Sequence, residues 1–189
     1  MQDIILDAMS RSAAKTKLGH FAYPEVAAAD LVEVGPYRQT KRMVQLRRAT
    51  AEALTRMSQA ARAAGIELMP ISGFRSVAYQ EQLFTRAIEK RGSEIEAARW
   101  VAPAGHSEHH TGFAVDLGEG REPEADVEPA FGETAAYRWL AQHATSFGFE
   151  MSFPAHNPQG VGCEPWHWRF VGTPEAERIF AAARKLLPA

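Results

Sequence analysis

The sequence has little cysteine, no long hydrophobic run and no strong excess of charge, and each lack excludes a class of protein. Its 189 residues include one cysteine, Cys163, so neither an internal disulfide nor a cysteine-rich metal framework can form. No apolar run approaches the roughly 18 residues of a membrane-spanning helix. The formal net charge of −2 argues against a surface built mainly to bind nucleic acid or another polyanion.

The remaining composition is that of one globular domain. The chain is 46% hydrophobic and 23% charged, and its length suffices for a sizeable core. In the N-terminal stretch MQDIILDAMSRS the apolar cluster covers only residues 4–6, which is too short for the hydrophobic region of a signal peptide. The sequence alone therefore leaves open a cytoplasmic location and a leader that is missing from it.

Turn residues and apolar periodicity predict an α+β protein with a single domain overall. Residues 1–38 are expected to form a short helix and an arm that packs on the domain of residues 39–189. The order of elements is mixed, without strict alternation of helix and strand, and this favours an antiparallel sheet with flanking helices. Helices are predicted over 40–64, 76–91 and 134–147 and after 173, and strands over 66–72, 113–117, 149–153 and 166–171.

Capping residues fix the ends of two of these helices. Ser76 is expected to cap the helix over 76–91, and Gly92 to stop it. Thr173 caps the last helix, with Pro174 at its first position. The side chains of the helix over 76–91 that are expected to face inward are Tyr79, Leu83 and Ile88.

The stretch SEHHTGFAVD concentrates groups that are costly to bury. His106, His109 and His110 lie within five positions, and Asp116 follows a short apolar run. Imidazoles and carboxylates avoid the protein interior unless something pairs with them or binds them. A metal ion would do so, although a surface loop with several histidines has the same pattern.

The stretch WHWRF predicts a strand with two chemically different faces. Side chains alternate along a strand, so Trp166, Trp168 and Phe170 share one face. His167 and Arg169 then share the other face. Such a strand buries aromatic rings on one side and presents an imidazole and a guanidinium on the opposite side.

The stretch FAVDL, residues 113–117, has the same alternation. Its large apolar side chains point inward, while Ala114 and Asp116 lie on the opposite face. If this strand neighbours WHWRF, Asp116 and His167 converge, and His109 can reach the same point from the preceding loop. Two imidazoles and a carboxylate suit zinc with one coordination position left open for water.

Glu164 lies three residues before His167, with Pro165 between them. In an unbroken strand Glu164 would point away from His167. If the strand begins only after Pro165, the carboxylate can turn inward and serve as the base for a metal-activated water. Cys163 is an alternative nucleophile, but no clear base stands beside it.

Each residue of this set also has a purely structural explanation. Asp116 could cap a turn with Gly118, and His110 is assigned to the loop rather than to the metal. His106 is left open, because His106 and His109 could form an H-x-x-H ligand pair. The histidines expected to be ordinary surface or core residues are His20, His143 and His156.

Three ordered motifs together carry a family resemblance. They are S-x-H-x-x-G-x-A-x-D over 107–116, E-x-W-H-x-R over 164–169, and SGFRS over 72–76 with Gln80 following. With these motifs, residues 54–172 resemble the VanY-type D-alanyl-D-alanine carboxypeptidases, zinc peptidases that act on bacterial cell-wall peptides.

The resemblance implies a hedgehog/DD-peptidase fold and one zinc ion per chain. The zinc would be held by His109, Asp116 and His167, with Glu164 as the general base. The implied activity is removal of the C-terminal D-alanine from peptidoglycan stem peptides. That substrate implies an extracytoplasmic location, in the periplasm or cell wall, and no nucleic-acid partner.

The resemblance also implies substrate contacts. Arg75 would lie at the substrate end of the site and bind the terminal carboxylate or stabilise the oxyanion, while Gln80 and Ser107 would help to hold the C-terminal residue. His106 and Cys163 stand where relatives commonly have aromatic residues, which bears on substrate preference. The alternatives are an L,D-carboxypeptidase acting on tetrapeptide stems, an endopeptidase, and a non-catalytic zinc-containing binding module of the same fold.

Overall fold

The computed structural model describes residues 16–186, and the α+β class predicted from the sequence is confirmed. Residues 1–15 of the predicted arm lie outside this range. Within it, no helix is both long enough and apolar enough to cross a membrane. The strands are β1 (Thr16–Lys17), β2 (His20–Phe21), β3 (Leu31–Pro36), β4 (Met43–Arg47), β5 (Leu68–Ser72), β6 (Ala114–Glu119), β7 (Phe149–Met151) and β8 (His167–Phe170). The helices are α1 (Arg48–Ala63), α2 (Val77–Arg91), α3 (Glu94–Ala98), α4 (Ala135–His143) and α5 (Pro174–Arg184).

The main sheet places β6 and β8 side by side at its centre. Its strand order is β5-β6-β8-β7, and all neighbouring strands are antiparallel. In the register between the two central strands, Ala114 is opposite Arg169 and Asp116 is opposite His167. The pairing that the sequence analysis could only assume is therefore confirmed.

The main hydrophobic core joins one face of this sheet to α1, α4 and α5. Trp166, Trp168 and Phe170 belong to it, as the alternation along WHWRF predicts. Phe180 of α5 is fully buried in the same cluster. Burying a large apolar side chain contributes roughly 1.5–3 kcal/mol, so this cluster fixes β8 firmly against the helices. His167, between the two tryptophans, is turned to the other face of the sheet.

The helix predicted over 40–64 begins only at Arg48. The five residues before it are strand β4, which pairs with β3, so this part of the prediction is wrong. Buried Val44 and Leu46 alternate with less buried neighbours, which is the period of a strand. The interval from Met43 to Leu46 also fits a helix, and a segment this short carries both patterns.

Helix α2 has the predicted ends but a different buried face. The Ser76 side chain accepts a hydrogen bond from the backbone N–H of Tyr79, and Gly92 ends the helix at φ 85°. The expected inward residues Leu83 and Ile88 are only half-buried, as is Tyr79. The buried face differs from the predicted one because part of α2 packs against α3. The buried residues of α2 are Gln80, Phe84 and Ala87.

Part of the predicted arm is built into the core. Phe21 and Tyr23 belong to the main hydrophobic cluster. Strand β3 pairs with β4 across the predicted boundary between residues 1–38 and 39–189. The division into an arm and a domain stays a prediction.

Candidate metal centre and cleft

Three ligand-type side chains converge at the centre of the sheet. Asp116 of β6 lies directly opposite His167 of β8, and His109 comes from the short 3₁₀ turn Glu108–Thr111 that precedes β6. One potential ligand atom from each of the three residues lies within 4.8 Å of the other two. All three side chains are buried, and the sheet and the turn hold them in place.

Local sequence explains why the turn presents His109 to the strands. The Ser107 hydroxyl accepts a hydrogen bond from the His109 backbone N–H at 3.4 Å, which caps the start of the turn. Gly112 ends it at φ 68°, where a residue without Cβ is favoured. In the motif S-x-H-x-x-G, the serine therefore caps the turn, the histidine is the candidate metal ligand, and the glycine ends the turn.

Neighbouring groups orient both imidazoles. Nδ1 of His109 lies 2.6 Å from the Gly73 carbonyl, so this nitrogen donates its proton and Nε2 carries the lone pair. Nε2 of His167 lies 2.9 Å from a carboxylate oxygen of Glu108, and its Nδ1 lies 3.0 Å from Oδ1 of Asp116. Burial lowers the pKa of this ring, but the two carboxylates outweigh it and raise the pKa to about 10. Such partners on the far side of a ligating histidine orient the ring and raise its basicity.

The two oxygens of Asp116 have different partners. Oδ1 lies 3.3 Å from Nε2 of His109 and 3.0 Å from Nδ1 of His167. Oδ2 accepts a hydrogen bond from the Arg75 guanidinium. Burial raises the pKa of Asp116, but His109 and Arg75 outweigh it and hold the pKa well below its usual range. Two imidazole nitrogens and an ionised carboxylate oxygen are a donor set that fits zinc.

Glu108 is a buried carboxylate beside the ligand group that the sequence analysis missed. Its carboxylate accepts hydrogen bonds from Ser152, from His167 and, at 3.0 Å, from Nη1 of Arg169. Burial alone would raise its pKa, yet Arg169 and His167 lower the pKa to about 2. Arg169 is itself fully buried and bonded to Glu150 at 2.7 Å. The available sequence signal was the acidic residue between Ser107 and His109. It was missed because its partner Arg169 lies far along the chain.

Glu164 is turned into the cleft as the sequence analysis required. The backbone N–H of His167 donates to the Glu164 carbonyl at 3.0 Å, which closes a turn with Pro165 at its second position. Strand β8 begins only after this turn, so the Glu164 side chain does not have to follow the alternation of side chains along the strand. The side chain is buried, and burial raises its pKa to about 8 against the attraction of His167.

The three predicted substrate contacts lie in the wall of the same cleft, whose volume is about 420 Å³. Arg75 is held by Ser72 at 2.9 Å and by Asp116, and 18% of its side chain is exposed. Ser107 is buried at the cap described above. Gln80 is fully buried. Its Nε2 donates to the Ala102 carbonyl, and its Oε1 has no partner within residues 16–186.

The remaining candidates lie outside the ligand group. His110 uses both ring nitrogens structurally, since Nδ1 bonds the Arg75 carbonyl at 2.7 Å and Nε2 accepts from the Gly105 N–H at 3.1 Å. His106 is half-buried against Ala104, so the H-x-x-H pair is not brought together. Cys163 is exposed, and partial burial together with Glu164 raises the pKa of its thiol, which opposes a role as nucleophile.

An antiparallel sheet that holds two imidazoles and a carboxylate beside a buried glutamate is the arrangement found in metal-dependent hydrolases. The comparison with protein families agrees with it. The family model VanY, D-alanyl-D-alanine carboxypeptidase, matches residues 43–173. The chain belongs to this family.

Two bacterial relatives match more than half of the chain. The Bacillus subtilis protein named "Putative carboxypeptidase YodJ" is 36% identical over 136 residues, which are 71% of this chain and 49% of that protein. A D-alanyl-D-alanine carboxypeptidase of Enterococcus faecalis is 34% identical over 131 residues, 64% of this chain and 46% of the relative. The chain thus spans about half the length of these relatives.

Solved structures share the fold. The LdcB LD-carboxypeptidase superposes with a TM-score of 0.71 at 30% identity, covering 86% of this chain and 80% of the other. A vancomycin-resistance D,D-pentapeptidase VanY, in complex with Zn(II), superposes with a TM-score of 0.61 at 26% identity, covering 87% and 94%. The hedgehog/DD-peptidase-like architecture expected from the sequence is confirmed.

Proposed function

We propose that the chain is a zinc-dependent carboxypeptidase that removes the terminal D-alanine from peptidoglycan stem peptides. The observation that carries this proposal is that His109, Asp116, His167 and Glu164 line the same cleft as Arg75. A metal with a base suits peptide hydrolysis, and a guanidinium beside them suits a substrate that ends in a carboxylate. The family description and the relative in complex with Zn(II) support this substrate and this metal.

One zinc ion per chain would be held by Nε2 of His109, Oδ1 of Asp116 and Nδ1 of His167. When bound by three protein ligands, zinc polarises a carbonyl and lowers the pKa of water to about 7. The contact to Gly73 leaves a lone pair on Nε2 of His109, and zinc would displace the proton that lies between Nδ1 of His167 and Asp116.

Glu164 would act first as general base and then as general acid. Its carboxylate accepts the proton of the attacking water and passes it to the departing amine of D-alanine. Burial raises the pKa of Glu164 to about 8, and positive charge held between the three ligands would act in the opposite direction. The two effects together favour a carboxylate that is ionised before the reaction and protonated during it.

Arg75 would define the end of the substrate. Its Nε and Nη2 are engaged by Ser72 and Asp116, which fixes the guanidinium beside the metal ligands. Nη1 keeps its two N–H groups for the terminal carboxylate, since a planar guanidinium matches that anion. Gln80 and Ser107 would contact the C-terminal residue from the adjoining wall.

Peptidoglycan stem peptides lie outside the cytoplasmic membrane, so the proposed activity belongs in the periplasm or the cell wall.

The second candidate function is an L,D-carboxypeptidase that trims a tetrapeptide, and the likeness to LdcB supports this alternative. A non-catalytic binding module has no use for the buried carboxyl of Glu164 beside the ligands.

The deciding experiment is release of free D-alanine. A pentapeptide stem ending in D-Ala-D-Ala should lose one D-alanine, a strong chelator should stop the reaction, and added zinc should restore it. Mass spectrometry of digests of the pentapeptide and the tetrapeptide compares the two bonds. Preferential trimming of the tetrapeptide would assign the L,D activity, and no cleavage of either peptide by zinc-loaded protein would leave the binding module.

Replacing Arg75 with alanine should lower kcat/KM for the free-carboxylate peptide by about 10- to 100-fold, because a hydrogen bond to a charged group is lost. The peptide with an amidated C-terminus should be a poor substrate of the wild type and should be affected little by the substitution. Zinc content is measured beside the rates, since Arg75 also bonds Asp116. The exposed Arg86, replaced by alanine, is the matched control. Equal losses of kcat/KM on both peptides would show that Arg75 does not bind the terminal carboxylate.

A further inference from the structure

A buried histidine from the N-terminal segment forms part of the cleft wall. His20 lies in β2, is 4% exposed, and lines the same cleft as the three ligand residues. It precedes residues 43–173, the region that the family model covers. A single histidine in an arm gave no functional signal in the sequence.

The hydrogen bonding of His20 fixes which nitrogen can act as an acceptor. Its Nε2 lies 2.7 Å from the Ala98 carbonyl, and a carbonyl can only accept, so Nε2 carries the proton. Burial lowers the pKa of the ring, which favours its neutral form. A neutral ring protonated at Nε2 has a lone pair on Nδ1, and this atom has no hydrogen-bond partner within residues 16–186.

The ring is held next to the catalytic side of the cleft. Phe153 contacts both imidazoles, with its ring centroid 6.3 Å from that of His20 and 5.1 Å from that of His167. The hairpin before β2 is fastened as well, because the Gln159 side chain donates to the Gly19 carbonyl at 3.0 Å. His20 is therefore a rigid part of the wall.

An acceptor in a cleft wall that has no protein donor can accept a hydrogen bond from a substrate that enters the cleft. A peptide substrate carries such donors in its backbone N–H groups. Its C-terminal residue is directed to Arg75, so the residues before the scissile bond must follow the rest of the cleft. Only one aromatic ring separates His20 from His167, which places His20 close to the bond that the metal would act on.

We propose that Nδ1 of His20 accepts a hydrogen bond from the substrate N–H of the residue immediately upstream of the scissile bond. His20 would thus be a substrate-binding residue supplied by the segment before the family-matched region. The inference rests on the proposed function, since it requires a peptide whose last bond is cut.

The test combines variants of His20 with a change in the substrate. His20→Phe keeps an aromatic ring but removes both nitrogens. His20→Gln keeps a donor for Ala98 and an acceptor for the substrate. His143→Phe, at an exposed position of α4, is the matched control. The substrate is a stem peptide ending in D-Ala-D-Ala, or its analogue in which an ester oxygen replaces the N–H of the penultimate residue while the scissile amide is kept.

For the wild type, the ester analogue should lower kcat/KM by about tenfold relative to the amide, the effect of one hydrogen bond lost in a desolvated site. His20→Phe should lose a similar factor on the amide peptide and almost nothing further on the ester. His20→Gln should recover most of the amide rate, and His143→Phe should equal the wild type. If the role of His20 is purely structural, His20→Phe should lower kcat/KM for both substrates by the same factor and should also lower the melting temperature.

Three results separate the inference from the proposed function. If the wild type releases no D-alanine, the proposed function itself fails. If the wild type is active but the losses from His20→Phe and from the ester simply multiply, the hydrogen bond at this N–H is refuted. If His20→Phe is as active as the wild type with zinc bound, His20 has no part in substrate binding.

Discussion

Replacing Glu164 with glutamine should lower kcat by about 10²- to 10⁴-fold while the zinc content stays near one ion per chain. The amide has the size of the carboxyl group but cannot accept the proton of the attacking water. Glu164 is not one of the three residues whose ligand atoms converge, so the substitution removes no ligand atom from the metal site. Rates of D-alanine release and elemental analysis of the same preparation measure both quantities.

The control for this variant is Glu89→Gln, which removes a carboxylate from the exposed face of α2 and should leave the rate unchanged. A melting temperature for each variant distinguishes loss of chemistry from loss of fold. The Glu164 variant should be at least as stable as the wild type, because a buried carboxyl with a raised pKa gives way to a neutral group. Near-normal turnover would contradict the assignment of Glu164 as the base.

The centre of the fold was predictable because its signals are local and strong. Alternation in WHWRF assigns the aromatic residues to the core, and the structure places Trp168 and Phe170 there. The same alternation puts Asp116 and His167 on the opposite face, although only tertiary structure could show that the two strands are neighbours. The inward turn of Glu164 followed from Pro165, whose restricted backbone suits a turn rather than the middle of a strand.

Errors arose where one short pattern fits two structures. Strand β4 has buried residues at Val44 and Leu46, and this short segment runs directly into the helical pattern of α1. Its partner β3 decides in favour of a strand, and no local signal reports that pairing. The buried face of α2 was likewise set by α3 and the cleft, since Gln80 and Phe84 are buried where Leu83 was expected.

The residues that the sequence did not reveal act through distant partners. Glu108 is separated by 59 positions from His167 and by 61 from Arg169, and only the folded chain brings the three together. Their ion pairing explains why an acidic residue can stand inside the ligand motif, since an unpaired buried carboxylate would be strongly destabilising. His20 depends in the same way on Ala98, which lies 78 positions away.

Replacing His167 with alanine should abolish both zinc binding and D-alanine release. The substitution removes one of the three ligands and leaves Asp116 Oδ1 and Glu108 without the imidazole that lies between them. Two ligands do not hold a structural or catalytic zinc ion tightly, so the dialysed variant should contain almost no metal. Elemental analysis and calorimetric titration with zinc measure the loss, and His143→Ala on the exposed end of α4 is the control.

A graded series shows whether the loss belongs to the ligand itself. Glu108→Gln should weaken zinc binding by about 10- to 100-fold, because it disturbs the orientation of His167 without removing the ligand. His110→Ala should keep the metal, since both ring nitrogens of His110 bond the backbone of Gly105 and Arg75 and not the ligand group. Loss of zinc from the His110 variant at an unchanged melting temperature would mean that the wrong histidine of the SEHH stretch has been assigned. Retention of zinc by the His167 variant would show that the metal is held elsewhere, because Asp116 and His109 alone leave the site one ligand short.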